Sequence, residues 1–195
     1  MFNLANRITL LRILAVPFIV VILHFPNKFN CLVAMIVFIA ASLTDLVDGL
    51  VARRHNLVTT FGKFLDPLAY KLLISSVLIM LVRLQEPEGG SWVAAWVVVI
   101  IVARELVVTG LRAMASDMGT VIAADRFGKL KTVFQIVALC PLLLHYPWFG
   151  FDPRPLGTIV LYMALILTVF SGWNYLYNFY RNWVEEKTTR SEAER

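Results

Sequence analysis

Charge is scarce in this chain. Asp, Glu, Lys and Arg make up 16% of its 195 residues, against 59% hydrophobic ones. With a mean hydropathy of +0.73, that shortage excludes an ordinary soluble domain and places the chain among membrane proteins. Cysteine is scarcer still. Cys31 and Cys140 both lie in apolar segments, without the spacing of a zinc site and with nothing that marks a disulfide framework. Lys and Arg outnumber Asp and Glu by 18 to 13, yet they are spread along the ends of apolar segments. No soluble basic patch results, which argues against a nucleic-acid partner. An internal repeat is also missing. No small-residue cleavage site follows the first apolar run, so a removed signal peptide is not expected.

What the chain does have is a succession of apolar stretches. Its length suits one domain, 1–195, of about six spans of roughly 20 residues each. Residues 1–12, with Arg7 and Arg12 among apolar neighbours, read as an interfacial amphipathic helix. It leads into a first span at about Ile13–His24, extended backward. Further spans are expected over Cys31–Val51, from Gly62–Asp66 to Val82, over Trp92–Val108, from Gly128 to Tyr146–Trp148, and over Leu156–Tyr177. Pro67 fits the third of these only within its first turn. Trp173, Tyr175, Tyr177, Tyr180 and Trp183 make an aromatic belt at the end of the last span, and Glu185–Arg195 is a charged tail expected to fray.

The expected fold is therefore an all-α integral membrane protein with six transmembrane helices. Of the 18 Lys and Arg residues, Lys28, Arg83 and Arg154 fall in the connections after spans one, three and five, and the other 15 lie on the opposite side with both termini. The positive-inside rule puts that second side in the cytoplasm.

Against this apolar background, Asp45–Lys71 stands out. It sets Asp45, Asp48 and Asp66 at or inside the ends of apolar segments, where an ionised Asp costs roughly 2.5–3.5 kcal/mol at a helix centre. A cation or partner must offset that cost. Asp45 and Asp48, three apart, share a helix face, and Asp66 is able to return beside them if the intervening residues turn. Oxygen-only ligands point to Mg²⁺ or Mn²⁺ rather than zinc. Gly49 leaves the backbone bare for a ligand, and Arg53 and Arg54, one turn on, suit phosphate oxygens. Together they describe a diphosphate held on metal; the plainer alternative is a solvated acidic and basic loop between two spans.

The spacing Asp45-x2-Asp48-Gly49-x2-Ala52-Arg53-x8-Gly62-x3-Asp66 resembles the signature of the CDP-alcohol phosphatidyltransferases. Seven of the eight fixed positions of D-x2-D-G-x2-A-R-x8-G-x3-D-x3-D are present, and Tyr70 stands where that family has its fourth aspartate. Asn6, Ile8, Thr9 and Arg12 match the family's N-x-[IL]-T-x2-R pattern, which implies a place for Asn6 and Thr9 near the nucleotide. The resemblance implies Asp45, Asp48 and Asp66 as ligands of two cations about 4 Å apart that clamp the diphosphate. It also implies Gly49 and Arg53 against the nucleotide phosphates of CDP-diacylglycerol, with Gly62 allowing close packing at a helix start. It further implies a homodimer in a bacterial plasma membrane, with the active site facing the cytoplasm. The fourth aspartate is the family's general base; a phenol with pKa about 10 is neutral at pH 7 and accepts no proton.

A second basic cluster bears on the acceptor. Arg104, Arg112, Lys129 and Lys131 gather near the cytoplasmic ends of spans four and five. Ordinary anchoring explains some of them, and Arg104 has Glu105 beside it as a partner. Several cations around one cavity nevertheless point to a phosphorylated acceptor. Ala103-Arg104-Glu105, Gly110-Leu111-Arg112 and Gly128-Lys129-Leu130-Lys131-Thr132 resemble bacterial family members whose acceptor is glycerol 3-phosphate, with inositol phosphate as an alternative. Two other classes stay open. One is a divalent-cation or organic-ion transporter using intramembrane carboxylates, which has no need of the Gly-x2-Ala-Arg spacing. The other is a non-catalytic CDP-lipid-binding protein, which Tyr70 would suit.

Overall fold

The structure, a computed structural model, describes residues 4–55, 60–86, 89–117 and 126–193, with side chains for 9–44, 65, 67–86, 89–116, 128–181 and 183. Among them the fold is all-α: α1 (Leu4–His24), α2 (Lys28–His55), α3 (Thr60–Arg83), α4 (Ala95–Asp117), α5 (Arg126–Leu144) and α6 (Arg154–Ala193). Pro26 lies in the α1–α2 connection, Gly89 and Gly90 in that between α3 and α4, and Pro147 and Gly150 in that between α5 and α6. Two isolated bridges, Gln85 with Ser91 and Trp148 with Phe151, pin two of the turns.

α3 lies in the middle of the bundle, packed on α1, α2, α4 and α5, while α6 closes the far side against α4 and α5. Its Leu73, Val77, Leu78 and Leu81 meet Ile19 and Leu23 of α1, Phe38 of α2, Ile101 of α4 and Leu139 and Leu143 of α5 in one core. Gly157 on α6 lets that helix close onto α5, since a Cβ there would lie 2.7 Å from Leu142 Cγ.

Several expected boundaries move. α1 runs unbroken from Leu4, so no joint separates an interfacial helix from a first span. Arg12, expected at the interface, is only 2% exposed and its Nε donates to the Ala41 carbonyl of α2 at 3.1 Å. Pro67 is inside α3, beyond the first turn, because the helix starts at Thr60. Trp92 precedes α4 instead of opening it, and it stacks face to face on His145. α5 ends at Leu144, ahead of the expected Tyr146–Trp148 limit, leaving His145 in the connection at φ 50°. The tail expected to fray is helical through Ala193.

Among the described residues one helix, Arg154–Arg181, of 28 residues, is long and apolar enough by itself to cross a membrane, with mean hydropathy 1.9 over an 18-residue window. Thr9–His24 and Lys28–Thr44 are shorter apolar stretches. Charged residues inside α2, α3 and α4 interrupt their apolar runs.

At the end of the bundle that holds the α3–α4 and α5–α6 connections, opposing charges are paired off. Arg154 reaches Asp152 at 2.8 Å and Glu86 at 3.1 Å, and His145 Nε2 lies 3.4 Å from Glu86. The Arg154 hydrogen bonds hold the Asp152 carboxyl below its usual pKa. Burial pushes the His145 imidazole below its ordinary value, against the pull of Glu86.

Candidate active site

At the opposite end, α3, α4 and α5 enclose a cavity of about 160 Å³. α3 supplies Pro67, Tyr70 and Lys71; α4 supplies Arg104, Glu105, Val108, Thr109 and Arg112; α5 supplies Gly128, Lys131 and Thr132. Helical periodicity explains the membership. Arg104, Val108 and Arg112 repeat every four residues along one face of α4, and Lys131 and Thr132 lie one turn after Gly128 on α5.

The polar groups form a chain. The Lys71 ammonium donates to Thr109 Oγ1, and Thr109 in turn donates to the Glu105 carbonyl at 2.5 Å. Glu105 Oε1 pairs with Lys131 and, at 3.5 Å, with Arg104 Nη1. Arg104 Nη2 donates to Ser171 Oγ on α6 at 2.8 Å, while its Nε has no partner among the described residues. The Arg112 guanidinium lies over the Tyr175 ring, 5.6 Å from its centroid. Among the described residues, four cationic side chains thus share the wall with one carboxylate. Such an excess of positive charge, half-sheltered from water, favours a multiply charged anion.

Of the four basic residues expected around the acceptor, the fold brings Arg104, Arg112 and Lys131 together. Lys129 is exposed and does not line the cavity, because residues two apart on a helix point to nearly opposite sides. Lys71, Thr109 and Ser171 are wall or supporting residues that the sequence reading did not single out. A lysine inside an apolar run, five residues after Asp66, was the available signal for the first.

Tyr70 lines the same cavity, with its hydroxyl oxygen buried and its ring packed on the core. Asp66 precedes it by one helical turn in α3. Asp45, Asp48, Gly49 and Arg53 belong to the C-terminal turns of α2, and Gly62 to the first turn of α3. The side chains of Asn6, Asp45, Asp48, Arg53 and Asp66 lie outside the described residues. Thr9 is buried, 1% exposed, on α1. The Arg12 bond to the Ala41 carbonyl ties α1 to α2 one turn ahead of Asp45. As a donor set, the three aspartates offer only oxygen, which fits a hard divalent cation.

A family model described as CDP-alcohol phosphatidyltransferase matches residues 2–170. The chain is 44% identical to the CDP-diacylglycerol–glycerol-3-phosphate 3-phosphatidyltransferase of Bacillus subtilis (strain 168), over 97% of this chain and 100% of that one. Proteins of the same name from Rickettsia typhi (strain ATCC VR-144 / Wilmington) and Salmonella choleraesuis (strain SC-B67) are 36% and 33% identical, each over 90% of this chain and 96% and 93% of their own.

Proposed function

The chain belongs to the CDP-alcohol phosphatidyltransferase family, and from that premise we propose that it serves phospholipid biosynthesis. The reaction moves the phosphatidyl group of CDP-diacylglycerol to glycerol 3-phosphate, giving phosphatidylglycerophosphate and CMP. The observation that carries the choice of acceptor is the cavity wall of Lys71, Arg104, Arg112 and Lys131, whose charge one carboxylate does not balance. A phosphomonoester dianion offsets most of it, whereas an uncharged polyol or a zwitterionic serine offsets none.

In this reading the acceptor phosphate sits among Arg104, Arg112 and Lys131. That grip turns a bimolecular encounter into a positioned one and aims the acceptor hydroxyl at the phosphorus. The hydroxyl oxygen forms the new P–O bond, the bond to CMP breaks, and the hydroxyl proton must pass to a base. Asp45, Asp48 and Asp66 would hold Mg²⁺ or Mn²⁺, two ions by the family resemblance, and the metal would supply charge neutralisation for the diphosphate. Gly49 and Arg53, with Asn6, Thr9 and Gly62 near them, serve the nucleotide end. Tyr70 occupies the base position without being a base, so the chain as it stands turns over slowly and holds its substrates better than it converts them.

The bilayer enters the same reading. Helices of 19 to 40 residues are about 28 Å or longer, enough for a hydrocarbon core of about 30 Å when interfacial residues are counted. Leu14, Phe18, Ile36, Ile79, Val99, Val107, Ile166 and Phe170 face outward, as lipid-contacting positions do. With six spans, the cavity and both termini would share one side, and the bias of Lys and Arg supports reading it as the cytoplasmic face of a bacterial plasma membrane, where glycerol 3-phosphate is met. A homodimer formed through the aromatic faces of α3 to α6 completes the proposal.

The test is CMP release from CDP-diacylglycerol by purified protein and by Tyr70→Asp, with glycerol 3-phosphate, inositol phosphate or serine as acceptor. Release that requires glycerol 3-phosphate supports the assignment. Release by Tyr70→Asp that is as fast with serine would end it.

A further inference from the structure

Arg104 reaches the cavity from the middle of α4, and the neighbour that fixes it there is α6, a helix with no residue in the cavity wall among the described ones. Two adjacent residues of α6 share the task. Ser171 is 1% exposed, and its hydroxyl donates to its own helix at the Thr168 carbonyl, 3.3 Å away. With its proton so directed, the Oγ lone pair is left to accept from Arg104 Nη2 at 2.8 Å. Gly172 supplies the second half. A Cβ built at that position would lie 3.0 Å from Arg104 Cγ and 3.4 Å from Nε, so the absence of a side chain leaves room for the arginine stem.

Alternatives for Arg104 are weak. Its contact with Glu105 is 3.5 Å long, and that carboxylate oxygen is also engaged by Lys131. Without the α6 contact, a side chain with four rotatable bonds would spread over several rotamers, and its planar donor fork would lose its aim at an anion.

We propose that Ser171 and Gly172 form a seat on α6 that holds the Arg104 guanidinium toward the acceptor phosphate. Both are positioning residues: neither touches substrate, and each acts through Arg104. This rests on the glycerol 3-phosphate reading above. It adds that the affinity of the acceptor site is set in part from a helix outside it, so small changes in how α6 packs on α4 alter acceptor binding without touching the nucleotide end.

The experiment uses the full chain in nanodiscs and needs no turnover. Glycerol 3-phosphate binding is measured calorimetrically for the chain itself, Ser171→Ala, Arg104→Ala and the double variant. In parallel, the rate at which phenylglyoxal modifies Arg104 is followed by peptide mass spectrometry. Ser171→Ala is expected to weaken binding by about tenfold and to speed modification of Arg104 severalfold. In the Arg104→Ala background the same substitution should change binding less than twofold, since its effect is routed through the arginine. Gly172→Ala should reproduce the weaker binding by pushing the stem aside. An equal loss in both backgrounds marks a merely structural serine and overturns the proposal, as does unchanged binding in Ser171→Ala. If the unaltered chain binds no glycerol 3-phosphate, the acceptor assignment fails. The Arg104 modification rate then decides the seat separately: a faster rate in Ser171→Ala upholds it, and an unchanged rate refutes it.

Discussion

Restoring a carboxylate at position 70 separates chemistry from scaffold. Tyr70 lines the cavity one turn after Asp66, with its hydroxyl oxygen buried and its ring against the core. Tyr70→Asp replaces a phenol of pKa about 10 with a carboxyl of pKa about 4, which is ionised and able to accept a proton at pH 7. A positioned general base contributes roughly 10²–10⁴ in rate, so CMP release should rise by at least two orders of magnitude. The ring also leaves. Complete loss of a buried aromatic costs about 3–5 kcal/mol, and for a half-buried ring about half of that is expected, so the thermal midpoint should fall while the protein stays folded. Activity and stability thus move in opposite directions, which a general tightening of the fold would not produce. The assay is CMP release in mixed micelles with saturating glycerol 3-phosphate and Mg²⁺ or Mn²⁺, beside Tyr70→Asn, which matches Asp in shape but takes no proton. Equal rates for the Asn and Asp forms, or an unaltered chain within tenfold of Tyr70→Asp, would refute the general-base argument.

In the Tyr70→Asp background, Arg112→Ala or Lys131→Ala should raise KM for glycerol 3-phosphate about tenfold or more and leave that for CDP-diacylglycerol nearly unchanged; steady-state kinetics in both substrates checks this. Glu105→Gln removes the one carboxylate among the described wall residues, leaving Arg104 and Lys131 without that opposing charge in a sheltered place, a loss of up to about 3–5 kcal/mol. Thermal unfolding should show the lower midpoint, with a larger rescue by glycerol 3-phosphate than in the unaltered chain. At the other end, burial lowers the His145 pKa, so the unfolded chain binds more protons there and stability declines as pH falls from about 6.5 toward the lower folded value. His145→Gln should flatten the midpoint-against-pH curve between pH 7 and 5; a midpoint that rises on acidification would contradict the sign.

The helical class and the order of elements were legible because long apolar runs divided by polar connections read as helices. Their joints were not, because long-range contacts decide them. Arg12 looked interfacial on its local surroundings, yet the Ala41 carbonyl, 29 residues away, takes it into the interior and lets α1 run straight through. Trp92 was counted as apolar span, but its partner is the His145 ring beyond α5. Around the cavity, Tyr70, Arg104 and Arg112 could be named from the sequence, but residues chosen by which way a helix faces could not. Lys129 and Lys131 are two apart, so a run of basic residues cannot say which one faces the cavity, whereas the bundle buries Lys131 and exposes Lys129. Ser171 carries no signal at all in sequence, since it earns its place only by where α6 crosses α4.

The two polar ends of the bundle differ in a way that separates structural charge from binding charge. In the connection cluster, Glu86 and Asp152 face Arg154 and His145, and Arg154 is satisfied on both sides at 2.8–3.1 Å. With its imidazole neutral, that cluster holds more acid than base and offers an anion nothing. In the cavity, Lys71, Arg104, Arg112 and Lys131 have Glu105 as their carboxylate on the wall, and Arg104 keeps an Nε without a partner among the described residues. Holding like charges this close opposes folding, and the bundle gains no packing from it that apolar residues would not supply better. The arrangement is stable in proportion to the anion it binds, so ligand should stabilise this protein through the cavity end and not through the connections. A thermal shift with glycerol 3-phosphate that survives Arg154→Gln but disappears in Arg112→Ala is the expected pattern, and the reverse pattern would place the anion site at the wrong end of the bundle.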